Sequence, residues 1–191
     1  MNILGIDLSL TSPALCLSQG DTFDFAECEF FFLTSKQKFL YNHKKLHGEM
    51  FPEHDVDSER YNNISTWIVD IAKHHQVDFA YIEGYSYGST GRVFQIAENG
   101  GILKYVLWKN NIPYDVVPPT VIKKYATGKG NANKELMQQA FVKETQFSIK
   151  RELNMTKKQW NPSSDIIDSY YICKYGKLNY GDGNGKLEAT G

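Results

Sequence analysis

The sequence predicts an α/β fold built on a mixed β-sheet with helices on its faces. Three observations predict it. Short apolar runs such as Ile3-Leu4-Gly5-Ile6 and Phe79-Ala80-Tyr81-Ile82 have the length and β-branched content of buried strands. Two strand-like runs, Ala14–Ser18 and Phe23–Leu33, follow the first across the turn Gln19-Gly20-Asp21, which gives an antiparallel meander. From Arg60 onward, helical and strand-like periodicities alternate.

The elements follow in order. Ile3–Asp7 is the first strand, and the meander completes the N-terminal part. Lys36 to Glu59 is polar and without clear period, so it reads as a long loop holding at most a short helix. Arg60 to His75 carries Ile64, Trp67, Ile68 and Ile71 at helix spacing. Phe79–Glu83 is the next strand, and Tyr85 to Gly91 a Gly- and Ser-rich connection able to bend close to a ligand. Val93 to Trp108 is a second long helix, and Tyr114–Val117 a strand stopped by Pro118-Pro119. Short helices are expected near Thr120–Tyr125 and Lys134–Lys143. The last helix has Asn161 as a cap and Pro162 at its first position, where a missing N–H costs nothing, and runs to about Tyr175. Trp67, Trp108 and Phe141 fall on apolar helical faces and read as core.

At 191 residues the chain reads as a single domain, 1–178, followed by a Gly-rich tail over 179–191. Hydrophobic residues at 41% and charged residues at 23% are ordinary for a globular protein. No apolar run approaches the roughly 18 residues a membrane helix needs, and no signal peptide is visible, so no membrane partner and a cytoplasmic location are expected. Cys16, Cys28 and Cys173 lack CxxC spacing and read as reduced thiols. Charge is uneven. Met1 to Arg60 holds ten acidic residues against five basic, a net of −5; Lys104 to Trp160 holds eleven basic against four acidic, a net of +7. A basic C-terminal half suits a polyanion, although a solvated lysine-rich face would look the same.

Four carboxylates carry the chemistry. Asp7 and Glu83 end strands, at the edge where α/β sheets gather ligands. Asp165 and Asp168 are three apart and share one helical face. Singly, each has an ordinary explanation: a turn residue, or a carboxylate complementing a helix dipole. Together, if the last helix crosses the sheet, they would repel one another unless a hard cation such as Mg2+ or Mn2+ joined them. Two such ions about 3.5–4 Å apart suit phosphodiester hydrolysis.

These residues carry a family resemblance. Ile3-Leu4-Gly5-Ile6-Asp7, the strand ending Ile82-Glu83, and Asp165-Ile166-Ile167-Asp168 resemble the four acidic positions of RuvC-type Holliday junction resolvases. Thr127-Gly128-Lys129-Gly130-Asn131-Ala132-Asn133-Lys134 resembles that family's Gly-x-Gly-x-x-x-Lys segment, and Arg92 to Leu107 its helix after the catalytic glutamate. The likeness spans roughly Met1 to Tyr175 in the family's order. It implies a ribonuclease H-like fold, and a homodimer that nicks a four-way DNA junction with two Mg2+ or Mn2+ ions per site. Asp7, Glu83, Asp165 and Asp168 would be catalytic and hold metal, and Lys134 would act on the scissile phosphate. Lys123, Lys124, Lys129 and Lys134 would contact DNA, and Tyr85 or Tyr87 would stack on an unpaired base. The chain departs from the family where Tyr85 and Tyr87 flank Ser86 in place of a motif ending in Phe. It also has a longer Lys36–Glu59 segment. Viral relatives cut a broader set of branched DNA, and the Lys-, Asn- and Tyr-rich composition suits an AT-rich genome such as a phage's, with the host cytoplasm as the location.

Other patterns point elsewhere. His43 and His47 have a zinc-like spacing, but Lys44-Lys45 between them repels a cation. Gly128-Lys129-Gly130 lacks the full phosphate-loop pattern. Gly5-Ile6-Asp7-Leu8-Ser9 also resembles the first phosphate loop of actin-like and sugar-kinase-like ATPases, which need a second such loop that this chain does not show. A non-catalytic junction binder is the remaining alternative.

Overall fold

A computed structural model of the chain describes residues 1–85 and 92–180. Tyr87 and the tail from residue 181 onward lie outside them. Strands β1 (Ile3–Asp7), β2 (Ala14–Ser18), β3 (Cys28–Thr34), β4 (Tyr41–His43), β5 (Leu46–Met50), β6 (Phe79–Glu83) and β7 (Tyr114–Val117) form one sheet in the order β4-β5-β3-β2-β1-β6-β7. The β1-β2-β3 meander is antiparallel, while β1-β6-β7 and β3-β5 pair in parallel. Helices α1 (Asp57–His74), α2 (Val93–Lys109), α3 (Pro119–Thr127), α4 (Lys134–Thr145), α5 (Ile149–Glu152) and α6 (Ser163–Asn179) complete the fold. Among the described residues, no helix is long and apolar enough to cross a membrane.

Successive side chains of a strand point to opposite faces, and this alternation sorts the core into two layers. Leu4, Ile6, Leu15, Leu17, Ala80 and Ile82 pack on one face with Ile64 and Ile68 of α1 and Leu103 and Leu107 of α2. Ile3, Cys16, Phe30, Phe32 and Tyr81 pack on the other with Ile122 of α3, Phe141 of α4 and Ile166 and Tyr170 of α6. Asp7 has the parity of Ile3, and Glu83 that of Tyr81. Both carboxylates therefore leave the sheet on the α6 side.

The α6 helix lies against β1 itself because Gly5 has no side chain. A Cβ there would overlap the backbone of Ser169 and Cys173. Farther along, Gly176 lies under the ring of Tyr81. The Cys173 thiol reaches the Ile3 carbonyl at 3.4 Å, and the Lys177 ammonium reaches the Met1 carbonyl. The helix thus runs back along β1, and its first turns hang over the strand ends.

Four expectations need correction. Lys36–Glu59 is not a loop. It forms a 3-10 turn at Gln37–Phe39, the strands β4 and β5, and the start of α1. Leu46 is buried and pairs with Phe30, so the sheet gains two strands at the β3 edge. His47, set on β5, bonds Asn42 at 2.9 Å and Glu29 at 3.1 Å and stacks on Phe31, which uses its ring nitrogens locally. Secondly, Asn161 is not the helix cap. The α6 helix begins at Ser163 after Pro162, and the Asn161 side-chain oxygen accepts from Lys134 at 3.2 Å and Ser164 at 3.2 Å. Thirdly, Trp108 is 66% exposed and no part of the core. Trp67 is half-buried and Phe141 fully buried. The strand expected over Phe23–Leu33 starts at Cys28, because Asp24 caps a 3-10 turn at Phe25–Glu27.

Candidate active site

The parallel pairing of Ile6 with Ile82 sets Asp7 and Glu83 side by side at the carboxyl edge of the sheet. The first turn of α6 brings Asp165 over them, and Asp168 follows one turn on. Asp7 and Asp165 are each 7% exposed, while Glu83 and Asp168 are half-buried.

The electrostatics show that the four carboxylates feel one another. Burial raises Asp7 well above its usual value, and the charges of Asp165, Glu83 and Asp168 push it further, against a smaller opposing effect of Lys134. Burial followed by Glu83 and Asp165 raises Asp168 in the same way. Glu83 is raised to about 7 by burial, with Lys123 opposing and Asp165 adding to the rise. Burial raises Asp165 only to about 6, because Ser12, Lys134 and Ser164 favour its ionised form. Among the described residues, none of the four carboxylates has an ion-pair partner.

Asp165 is the best oriented of the four. The buried Ser12 hydroxyl, from the connection between β1 and β2, donates to one of its oxygens. Ser164 lies 3.5 Å from the other and in turn accepts from the Lys134 ammonium at 3.3 Å. Lys134 reaches this point because α3 stops sharply. Gly128 closes α3 in the left-handed conformation at φ +79°, and Asn133 then caps α4 through the Leu136 N–H.

A cleft of about 310 Å3 opens at Asp7 and Glu83, walled by Ser9, Thr11, Tyr85 and Arg92. A second cavity, at Asp168, is lined by Lys123 and Lys134. The chain thus gathers Asp7, Glu83, Asp165, Asp168, Lys123 and Lys134. Lys124 and Lys129 stand exposed on α3 and just past its end, and line neither opening. Tyr85 lies against Gly100 of α2, bonds the Ala97 carbonyl at 3.3 Å, and has the Lys104 ammonium 4.9 Å from its ring centroid. The Tyr87 expectation lies outside the described residues. Ser12, Ser164 and Arg92 were not foreseen. Ser12 and Asp165 are 153 residues apart, a separation that no local spacing reveals.

The donor set fits a hard divalent cation. All four groups are oxygen donors, all are raised by burial, the charges of neighbouring carboxylates add to the rise at Asp7, Glu83 and Asp168, and no ion pair neutralises them among the described residues. They are not a closed shell: among the described residues, no three His, Cys, Asp or Glu side chains are close enough to hold an ion as they stand.

No family model and no curated protein matches the sequence. Solved structures do match the fold. Thermus thermophilus RuvC superposes with a TM-score of 0.61 at 16% identity, covering 97% of this chain and 99% of that one. The yeast mitochondrial Holliday junction resolvase Ydc2 gives 0.54 at 14% identity, covering 94% and 81%. The fowlpox virus resolvase, in complex with Holliday junction DNA, gives 0.51 at 12% identity, covering 94% and 98%. Across almost its whole length, then, the chain has the ribonuclease H-like fold of the RuvC-type resolvases.

Proposed function

We propose that the chain is a divalent-metal-dependent endonuclease that resolves four-way DNA junctions by paired nicks, working as a homodimer. The observation that carries this reading is the convergence of four carboxylates, without ion-pair partners among the described residues, beside two lysines in a fold shared with junction resolvases. Two of those neighbours, from Thermus thermophilus and fowlpox virus, have been seen with Holliday junction DNA.

Asp7, Glu83, Asp165 and Asp168 would hold the ions. A pair of Mg2+ or Mn2+ ions would supply Lewis-acid stabilisation to the attacking and leaving oxygens of a phosphodiester. The remaining tasks belong to the chain. Ser12 and Ser164 fix the Asp165 carboxylate. Lys134, held near Ser164 and Asn161, presents a positive charge to the phosphate on which negative charge develops. Lys123 does the same beside Glu83 and Asp168. Lys124 and Lys129 extend the positive surface to more distant phosphates. Tyr85, pinned on α2, shapes the mouth of the cleft, and Tyr87 remains the candidate for stacking on a base at the crossover.

Synthetic four-way junctions, flaps and linear duplexes incubated with the protein in Mg2+ and in Mn2+ test the reading. Paired nicks in the junction are expected, with linear duplex intact. Asp7→Asn should abolish cutting while junction affinity stays equal or rises, since one negative charge near phosphate is gone. A folded protein that leaves every branched substrate uncut in both metals would overturn the proposal.

A further inference from the structure

The cavity beside Asp168 has more to it than its two lysines. Its volume is about 250 Å3. Its floor is apolar and buried: Ala132, Met137 and Ile167 are each 3% exposed. Trp160, half-buried, forms a wall. The Lys150 ammonium lies 3.6 Å from the centroid of that indole and holds the ring in place. At the rim stand Lys123, Lys134 and Asn133. The Asn133 oxygen is spent on capping α4, at 2.9 Å from the Leu136 nitrogen, while its NH2 has no partner among the described residues.

None of these apolar groups contributes to holding a cation. They suit a flat, partly polar ring. A slot with an aromatic wall takes the π-face of a nucleobase, and flanking ammonium groups take the phosphates on either side of it. The volume lies below the roughly 300–1,000 Å3 of drug-sized pockets, which matches one ring system. Branched DNA can supply an unpaired base, because unstacking costs least where pairing is already interrupted.

We propose that this cavity binds one unpaired nucleobase of the DNA strand being cut, against Trp160, with Lys123 and Lys134 on its flanking phosphates, and so selects the sequence at which the strand is nicked. This rests on the nuclease reading for its consequence, but its binding test does not need cleavage.

The test uses the Asp7→Asn protein and four-way junctions carrying 2-aminopurine at successive positions around the crossover. Binding should quench the fluorescence at one position. Trp160→Ala should abolish that quenching and weaken junction binding about tenfold, and Trp160→Phe should restore both. Ala132→Leu fills the cavity from its floor with Trp160 left in place, and should abolish the quenching as well. In the cutting enzyme, Trp160→Ala should flatten the distribution of nicks over junctions randomised at the crossover. The proposal is overturned if no position is quenched, or if quenching survives both Trp160→Ala and Ala132→Leu. An unchanged nick distribution in folded Trp160→Ala, or a free deoxynucleoside monophosphate binding as tightly as the junction, would also overturn it. Quenching without any cutting by the unmutated enzyme would support the pocket and overturn the nuclease reading instead.

Discussion

Burial holds Asp7 and Asp168 well above the usual carboxylate range, Glu83 at about 7 and Asp165 at about 6, and the charges of neighbouring carboxylates add to the rise at Asp7, Asp168 and Glu83. In the unfolded chain these groups ionise near their ordinary value of about 4. Between that value and the raised ones the native state binds more protons, so stability falls as pH rises through the window. Metal-free protein should therefore melt at a lower temperature at pH 7.5 than at pH 5. Calorimetry in chelator should show this, and Mg2+ or Mn2+ should restore the loss at pH 7.5. By the same logic Asp7→Asn removes one repelling charge. It should raise the metal-free melting temperature at pH 7.5 by several degrees, for a gain on the order of 1–3 kcal/mol. A melting temperature indifferent to pH, metal and Asp7→Asn would show that the carboxylates do not repel. The four acids were legible in the sequence because strand ends and a three-residue helical interval mark them. The hydroxyl of Ser12 and the indole of Trp160 were not, because only tertiary folding brings them to the cluster.

At the scale of elements, the juxtaposition of α6 and β1 decides the site. Gly5→Ala would drive a methyl into the backbone of Ser169 and Cys173. Backbone cannot yield as a side-chain end can, so a destabilisation of about 3 kcal/mol is expected, at the upper end of ordinary overpacking. The displaced helix would carry Asp165 and Asp168 away from Asp7. Nicking in the folded fraction should fall more than junction binding does, and denaturant melts with activity corrected for that fraction would measure both. The central strands could be read as short apolar runs because they are buried on both faces, and the amphipathic helices from periodicity because each buries one face. The β4-β5 pair could not. Tyr41–His43 has three residues, half-buried or exposed, and Leu46–Met50 only one buried residue, so neither shows a usable alternation. Their place is set by pairing along β3, a long-range contact.

At the scale of the whole molecule, an apolar stripe stands uncovered among the described residues. On α2, Phe94 is 82% exposed, Tyr105 57% and Trp108 66%, with Ala97 and Gly101 exposed between them. The stripe is symmetric about Gly101. Phe94 and Trp108 are seven residues to either side, Ala97 and Tyr105 four, and Glu98 and Lys104 three. Two copies of α2 crossing antiparallel at Gly101 would set ring against ring, a small residue against tyrosine, and acid against base, which is the self-complementarity a two-fold interface requires. Among the described residues nothing lies within 4 Å of a Cβ at Gly101, so the two backbones have room to approach there. The same helix follows Arg92, which lines the cleft with Asp7 and Glu83, so pairing through α2 would fix the two clefts relative to each other, as paired nicking needs. Sedimentation should find a dimer at micromolar concentration. Gly101→Arg, which meets open space among the described residues, should yield folded monomer, and so should Phe94→Glu combined with Trp108→Glu. In both variants junctions should be nicked on one strand at a time, with the two cuts uncoupled. If the variants sediment as dimers, the interface lies elsewhere; if they are monomers that still cut both strands in concert, paired nicking does not depend on α2.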